Sequence, residues 1–203
     1  LVRAIELVEQ NGGNVTAINV GPAANDIIIR KALAIGANDA VRIDIDPADA
    51  YVTAANIAGH ARSKNYDLIM LGKETIDYNG SETGAMIAEM LDLPFVSYAS
   101  ALQVSGNMST VTRDIEGGVE VCQVEGPFVL SAAKGMAEQR IPNMKGIMMA
   151  KTKPLAVEVA SVQNPRVKAN KYVLPPAKSG VKLISPDNMD ELVRLLHEEA
   201  KVI

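Results

Sequence analysis

"YDLIMLGKETIDYNGSETGAMIAEML", Tyr66 to Leu91, decides the fold. Its opening, "YDLIML" (Tyr66 to Leu71), is an apolar run of strand length, and its end has the small and long apolar side chains of a helix. Small, hydroxyl and acidic residues lie between. A strand apolar at successive positions is covered on both faces, and one that empties through glycine into a helix belongs to a parallel sheet. Upstream the alternation repeats. Residues Leu1, Ala4, Ile5 and Val8 mark a first helix stopped by "NGG" (Asn11 to Gly13), "NVTAINV" (Asn14 to Val20) reads as a strand, and Gly21-Pro22 leads into an apolar-periodic helix ending at Gly36. "DAVRID" (Asp39 to Asp44) is the next strand and Pro47 to Lys64 the next helix. A chain that opens inside a helix is expected to lack something upstream.

Downstream the pattern changes. Four β-rich runs from Phe95 to Leu130 are separated by "SGN", "EGG" and "EGP", turn signals at hairpin spacing, and predict an antiparallel extension of the sheet. Lys134 to Pro154 shows neither period and reads as a loop or short helix. Leu155 to Ser185 carries several prolines and lysines with few bulky apolar residues, so it is expected to lie extended across another surface. The last run has Ser185 or Asp187 as its cap and an apolar face of Met189, Leu192, Val193 and Leu196. The expected organisation is an α/β nucleotide-binding domain over 1–153 and, over 154–203, an extended C-terminal arm ending in a helix that packs on a partner subunit.

Composition narrows the function classes. The 203 residues carry a net charge of -4 without a basic stripe, so a nucleic-acid partner is not expected. No apolar segment reaches bilayer length, and the expected address is the cytoplasm, or the mitochondrial matrix in a eukaryote. A single cysteine, Cys122, allows no disulfide scaffold within the chain and reads as a small buried or half-buried residue in a reducing compartment. With no Trp and two Phe, a self-contained flavin pocket is disfavoured; a shared one is not.

In open parallel sheets, ligands sit where strands run into helices. Two such exits stand out. At Val20, Gly21 and Pro22 a glycine permits close backbone approach ahead of a helix N-terminus. At Gly72, Lys73, Glu74, Thr75, Ile76, Asp77, Tyr78, Asn79, Gly80, Ser81, Glu82 and Thr83, bare amides and hydroxyls precede another, with Ser81 as a candidate cap. Neither exit has Walker or three-glycine dinucleotide spacing. His60 and His197 are expected to face solvent or a helix groove, no metal-ligand spacing occurs, and no catalytic residue is assigned. The methionines near Lys145 and Gly146 read either as core filler or as an adaptable apolar contact surface.

The order "GPAANDIIIRKALAIGANDAVRI", "YDLIMLGKETID…ETG", "EQRIPNMKGIMMAKTKP" resembles the beta subunit of electron transfer flavoprotein, from Val2 to the C-terminal helix. That resemblance implies a Rossmann-like fold of the adenine nucleotide alpha-hydrolase type. It implies an alpha subunit as partner in a heterodimer, with redox FAD bound chiefly by alpha and shared at the interface. It also implies an adenine nucleotide in the beta subunit itself: AMP in the common type, a second FAD in the electron-bifurcating type. Carried over by position, Val20 and Gly21 at the first exit and Gly72 to Thr83 at the second line that nucleotide. The match also makes Glu138 to Ala150 a recognition loop for an acyl-CoA dehydrogenase-type flavoprotein, with Arg140, Ile141, Pro142, Met144, Lys145, Ile147 and Met148 as docking residues and Met144 in the place of a leucine anchor.

The family's first strand and an Asn-Pro loop have no counterpart upstream of Leu1. The cradle "DYNGSETG" matches neither the acidic "DDD" form of AMP binders nor the "GDTAQVG" form of bifurcating members, which leaves AMP and FAD both open. The expected function is an electron-carrier subunit without bond chemistry of its own. The alternatives are a bifurcating subunit whose FAD takes hydride from NADH, and a free-standing nucleotide sensor of the universal-stress type.

Overall fold

The computed structural model describes residues 1–178 and 180–203, and its chain falls into two units, Leu1–Lys168 and Ala169–Ile203. The first unit is α/β. Helix α1 (Val2–Asn11) precedes strand β1 (Thr16–Val20); a short 3-10 turn, Ala23–Asn25, leads into α2 (Asp26–Ile35); β2 (Asp39–Asp44), α3 (Ala50–Ala61), β3 (Leu68–Gly72) and α4 (Thr83–Leu91) follow. Helix–strand alternation is therefore realised as read, and β2 occupies the "DAVRID" run.

Two sheets result. A three-stranded parallel sheet has the order β1-β2-β8, and a five-stranded mixed sheet the order β3-β7-β4-β5-β6, with β4 (Phe95–Ser105), β5 (Met108–Ile115), β6 (Gly118–Glu125), β7 (Phe128–Ala132) and β8 (Leu155–Val159). Two expectations are corrected here. Only the pairings β4–β5 and β5–β6 are antiparallel; β7 inserts between β3 and β4 and runs parallel to both. Two residues separate β6 from β7, so "EGP" passes the chain from an edge strand to an interior one. Leu155–Val159, read as the start of the extended arm, is a strand registered against β2 from Ala40↔Leu155 to Asp44↔Val159.

Strand β4 serves both halves of its sheet because it is broken by a bulge. Its register shifts between Val96 and Ala99, and Tyr98 there adopts φ 56, a conformation an aromatic residue rarely takes. The Tyr98 amide, lost to the ladder, donates to the buried Ser131 Oγ at 3.0 Å.

Apolar clusters cover the sheets. Ile5, Val15, Ala17, Ile29, Leu33 and Ala150 join α1, β1 with the residue ahead of it, α2 and helix α5 (Met144–Ala150); Ala54, Ile87, Ala88 and Val129 join α3 and α4 to β7. Burial of such residues is the main stabilising term, about 25 cal/mol per Å² of apolar surface removed from water. The second unit contains α6 (Met189–Arg194), which runs into a π-helical turn, Leu195–Glu199. Its cap is Asn188, whose Oδ1 accepts from the Glu191 amide at 3.4 Å, not Ser185 or Asp187.

Candidate functional site

The carboxyl end of β3 opens into the predicted cradle. Past Gly72 the Lys73 amide still donates to the Ala132 carbonyl at 3.1 Å, and then the chain turns on itself. The Thr75 amide donates to the Gly80 carbonyl (2.9 Å), the Asn79 amide to the Thr75 carbonyl (2.9 Å) and the Gly80 amide to Thr75 Oγ1 (3.1 Å). Asn79 turns the loop at φ 53, which asparagine tolerates better than most side chains. Helix α4 then starts at Thr83 with Glu82 at its N-cap position and no side-chain cap bond, so Ser81, the expected cap, is not one. Amides of that first turn lack intrahelical acceptors, and the helix dipole adds positive potential there.

A cavity of ≈ 350 Å³ lies at this exit. It brings together Gly72, Lys73, Glu74, Thr75, Gly80, Ser81, Thr83 and Gly84, with Thr16 and Ile18 of β1 on its far wall. The tip residues Ile76, Asp77, Tyr78, Asn79 and Glu82 are exposed and do not line it, and neither do Val20 and Gly21. Val20 is buried with Val41, Ile43 and Ala160, so it has only backbone to offer a ligand. Gly72 is exposed, and a Cβ there would meet nothing within 4 Å, so its missing side chain leaves room beside the cavity. The cavity sits within the roughly 300–1,000 Å³ range of small-molecule sites.

Within the cavity lining Lys73 and Glu74 offset each other, while Asp77 and Glu82 leave the exit loop net acidic. Lys73 Nζ pairs with Glu74 at 2.9 Å, and that hydrogen bond, helped by the carboxylate's charge, raises the ammonium pKa. The same ammonium lies 5.7 Å from the centroid of the Tyr98 ring. Tyr98 was not legible as a neighbour of the cradle: it stands in an unbroken β-rich run, and only the bulge turns its ring toward Lys73.

Gly21, at the other exit, is held from three directions. Its amide donates to the Ile43 carbonyl at 3.0 Å, its carbonyl accepts from Arg42 Nη1 at 3.1 Å, and its α-carbon rests on the clasp from Asn25 Nδ2 to Asn19 Oδ1 (3.0 Å). A Cβ on Gly21 would collide with Asn25 Nδ2. Arg42 is buried on β2 and pairs with Asp26 at the start of α2 (2.7 Å) and with Asp44. Those hydrogen bonds, the one to Asp44 first, outweigh desolvation and raise its pKa. An arginine inside an apolar strand was the signal for this network, because a buried cation requires partners.

His60 corrects an expectation. It is buried, with Nδ1 2.9 Å from Glu158 Oε2 and Nε2 3.0 Å from the Tyr66 hydroxyl, and faces neither solvent nor an open groove. His197 is exposed. Among the described residues no group of His, Cys, Asp and Glu is placed to hold a metal ion.

The predicted docking residues fall on and beside α5. Asn143 caps this helix, its Oδ1 accepting from the Gly146 amide at 2.8 Å. Ile141 (84% exposed), Met144 (74%) and Met148 (66%) form an apolar surface, with Ile147 more sheltered. Arg140 points back instead, forming a two-pronged ion pair with Glu9 of α1 at 2.8 Å for each prong.

Comparison with known proteins decides what this arrangement belongs to. The electron transfer flavoprotein domain family matches residues 1–163. The electron transfer flavoprotein subunit beta of Bacillus subtilis is 35% identical over 98% of this chain and 83% of its own length. This chain belongs to the electron transfer flavoprotein family, as a beta subunit. The human beta subunit is 35% identical over 70% of the chain and 58% of its own length. The caffeyl-CoA reductase-Etf complex subunit CarD of Acetobacterium woodii is 27% identical over 99% and 82%. For a beta subunit, the two strand exits and the exposed methionine helix are the features with a function to explain. No described helix is long and apolar enough to cross a membrane.

Proposed function

We propose that this beta subunit binds an adenine nucleotide at the exit of β3 and acts, with an alpha subunit, as an electron carrier for an acyl-CoA dehydrogenase-type flavoprotein. The cavity between the β3 exit and β1 carries the first part. It offers the first-turn amides of α4, the hydroxyls of Thr75, Ser81 and Thr83, and the Lys73 ammonium that Glu74 holds in place, a donor set suited to a ribose and a phosphate. Tip residues 76–79 and Glu82 lie outside the cavity; in this reading they close over a bound nucleotide or meet the alpha subunit. Val20 and Gly21 contribute backbone to the same ligand, with Arg42 and the Asn19–Asn25 clasp holding the loop in place. AMP suits the compact cavity, and an FAD would extend beyond it. FAD shared with the alpha subunit supplies the redox chemistry, while this chain's residues bind, orient and shield.

Docking of the dehydrogenase falls to Ile141, Pro142, Met144, Lys145, Ile147 and Met148. Three of these are large apolar side chains left in water at more than half exposure, and methionines adapt to a partner's contours. Arg140 supports this surface from behind through Glu9. The name of the A. woodii relative places that protein in a complex with a caffeyl-CoA reductase, a precedent for an acyl-CoA-type partner. In the second unit Tyr172, Leu174, Val181 and Leu183 are each at least 81% exposed, which suits an arm that lies on the alpha subunit. The arm then starts after β8 and not at residue 154. The proposed compartment is the cytoplasm or the mitochondrial matrix.

Mass spectrometry of the denatured heterodimer tests the reading. One FAD and one AMP per dimer are expected. Two FAD with NADH-dependent bleaching would establish the bifurcating alternative, and no adenine compound beyond one flavin would end the nucleotide assignment. Replacing Met144 by glutamate is expected to weaken reduction by the dehydrogenase and to leave nucleotide content intact.

A further inference from the structure

Helix α5 is fastened to α2 by contacts that neither nucleotide binding nor docking has used so far. Arg30 of α2 reaches across with Nη1 and donates to the carbonyls of Ala150 and Lys153, each at 2.7 Å. Lys153 answers in the opposite direction, its Nζ donating to the carbonyls of Leu33 (3.0 Å) and Ala37 (2.5 Å). The Leu33 and Ala150 carbonyls belong to the last turns of the two helices, where intrahelical donors run out and the dipole favours a cation, and those of Ala37 and Lys153 follow just beyond them. Between the two cations the helices touch. Gly146 lies so close to α2 that a Cβ there would collide with the Ala34 carbonyl oxygen, a backbone atom unable to swing aside.

Glycine inside a helix costs about 0.5–1 kcal/mol relative to alanine, so its place in α5 calls for a compensating contact. The approach to Ala34 is that contact. Gly146 and the buried Ala150, four residues on, form the seated side of α5; Met144 and Met148, also four apart, form the side in water. A rotation of α5 by one residue in either direction would drive Lys145 or Ile147 against Ala34. The seat therefore admits one azimuth of the helix.

We propose that Gly146, Arg30 and Lys153 are positioning residues for partner docking: they fix the rotation of α5 that presents Met144 and Met148 together. This rests on the reading that α5 docks the dehydrogenase. It makes α2 common to both candidate sites, since its first turn holds Asp26 against Arg42 and the Gly21 loop, and its last turns seat α5.

The test uses the intact heterodimer and its dehydrogenase, with KM and kcat measured for reduction of the heterodimer's flavin. Gly146→Ala and Lys153→Met are expected to raise KM for the heterodimer about tenfold, the equivalent of about 1.4 kcal/mol, with the effect on KM and not on kcat. Lys153→Arg, which keeps a cation for the same carbonyls, is expected to recover most of the loss. Nucleotide content, set at the far end of α2, serves as the folding control. If Gly146→Ala does not assemble, Lys153→Met carries the test, because it adds no atom to the seat. KM values within about twofold of the parent in a variant set where Met144→Glu does weaken docking would overturn the positioning role and leave the docking reading standing. An unchanged KM for Met144→Glu would instead remove the docking reading on which the proposal rests.

Discussion

Gly84 and Gly72 flank the same cavity, yet alanine should destabilise the fold at the first and not at the second. Gly84 lies buried in the first turn of α4, and a Cβ there would stand 2.8 and 2.9 Å from two Phe95 ring carbons and 3.3 Å from Leu71 Cδ1. Comfortable carbon–carbon contact is about 3.5–4.0 Å, so the helix must back away or the ring must tilt. Overpacking of this kind costs about 1–3 kcal/mol, and the helix gain from replacing glycine returns about 0.5–1 kcal/mol. The net expectation for Gly84→Ala is a loss of roughly 1–2 kcal/mol in unfolding free energy, with nucleotide loss as α4 withdraws from the exit. Gly72→Ala adds its Cβ to open space, so its stability should stay within about 0.5 kcal/mol of the parent while nucleotide occupancy falls. Urea unfolding of the heterodimer, paired with nucleotide content after denaturation, reads both effects. Phe95→Leu provides the internal check. If the ring is what the new methyl meets, the double variant with Gly84→Ala should lose at least about 1 kcal/mol less than the two single losses combined. Simple additivity, or a Gly84→Ala protein as stable as the parent, would refute the packing argument.

Gly21→Ala should be milder, because Asn25 is a side chain and can move; losing its bond to Asn19 costs about 0.5–1.5 kcal/mol, and if all of it fell on binding, nucleotide affinity by calorimetry would weaken roughly twofold to twelvefold. Asn56 is buried on α3, donates to the Val162 carbonyl at 2.7 Å and accepts from the Ser161 and Val162 amides at 2.8 and 3.1 Å. Asn56→Ala strands those backbone groups and should cost about 3 kcal/mol in denaturant unfolding; a loss under about 1 kcal/mol would show that water replaces the amide. Asp49 caps α3 and also accepts from the Arg166 and Val167 amides; burial pushes its pKa up, but the three backbone hydrogen bonds prevail and it lies below the model-peptide value of 3.8. A depressed carboxylate stabilises the fold above its unfolded pKa and ceases to as pH falls through its folded one. The stability gap between the parent and Asp49→Asn should therefore hold from neutral pH down to about pH 4 and close below it, as followed by urea midpoints.

Local chemistry made the α/β alternation readable. Strand β2 was visible as an apolar run, and Gly72 and Gly21 marked the exits because a chain leaving a buried strand for a helix needs room there. Which strand pairs with which is a non-local choice, and turn chemistry does not encode it. "EGP" before β7 has the same composition whether the chain folds back as a hairpin or passes inward between β3 and β4. "LAVEV" of β8 was lost because its five residues, apolar at four, stand alone beside a long stretch of prolines and lysines that sets the character of the whole segment. The residues that hold the exits from behind were hidden for a related reason. Arg42 was at least conspicuous as a charge in an apolar strand. Nothing near His60 in sequence announces Glu158, and nothing near Tyr98 announces Lys73.

Strands β1 and β3 each stand at the end of a sheet, with a ladder partner on one side only. Their outward peptide groups, together with Ile18, Leu68 and Met70, border two cavities, of ≈ 350 and ≈ 590 Å³, which share those residues. Peptide groups left over in this way are templates for another extended polypeptide. A segment that pairs with either edge would have to enter the space between the two strands, and if a second copy of the chain does so, light scattering that rises with concentration is the expected sign.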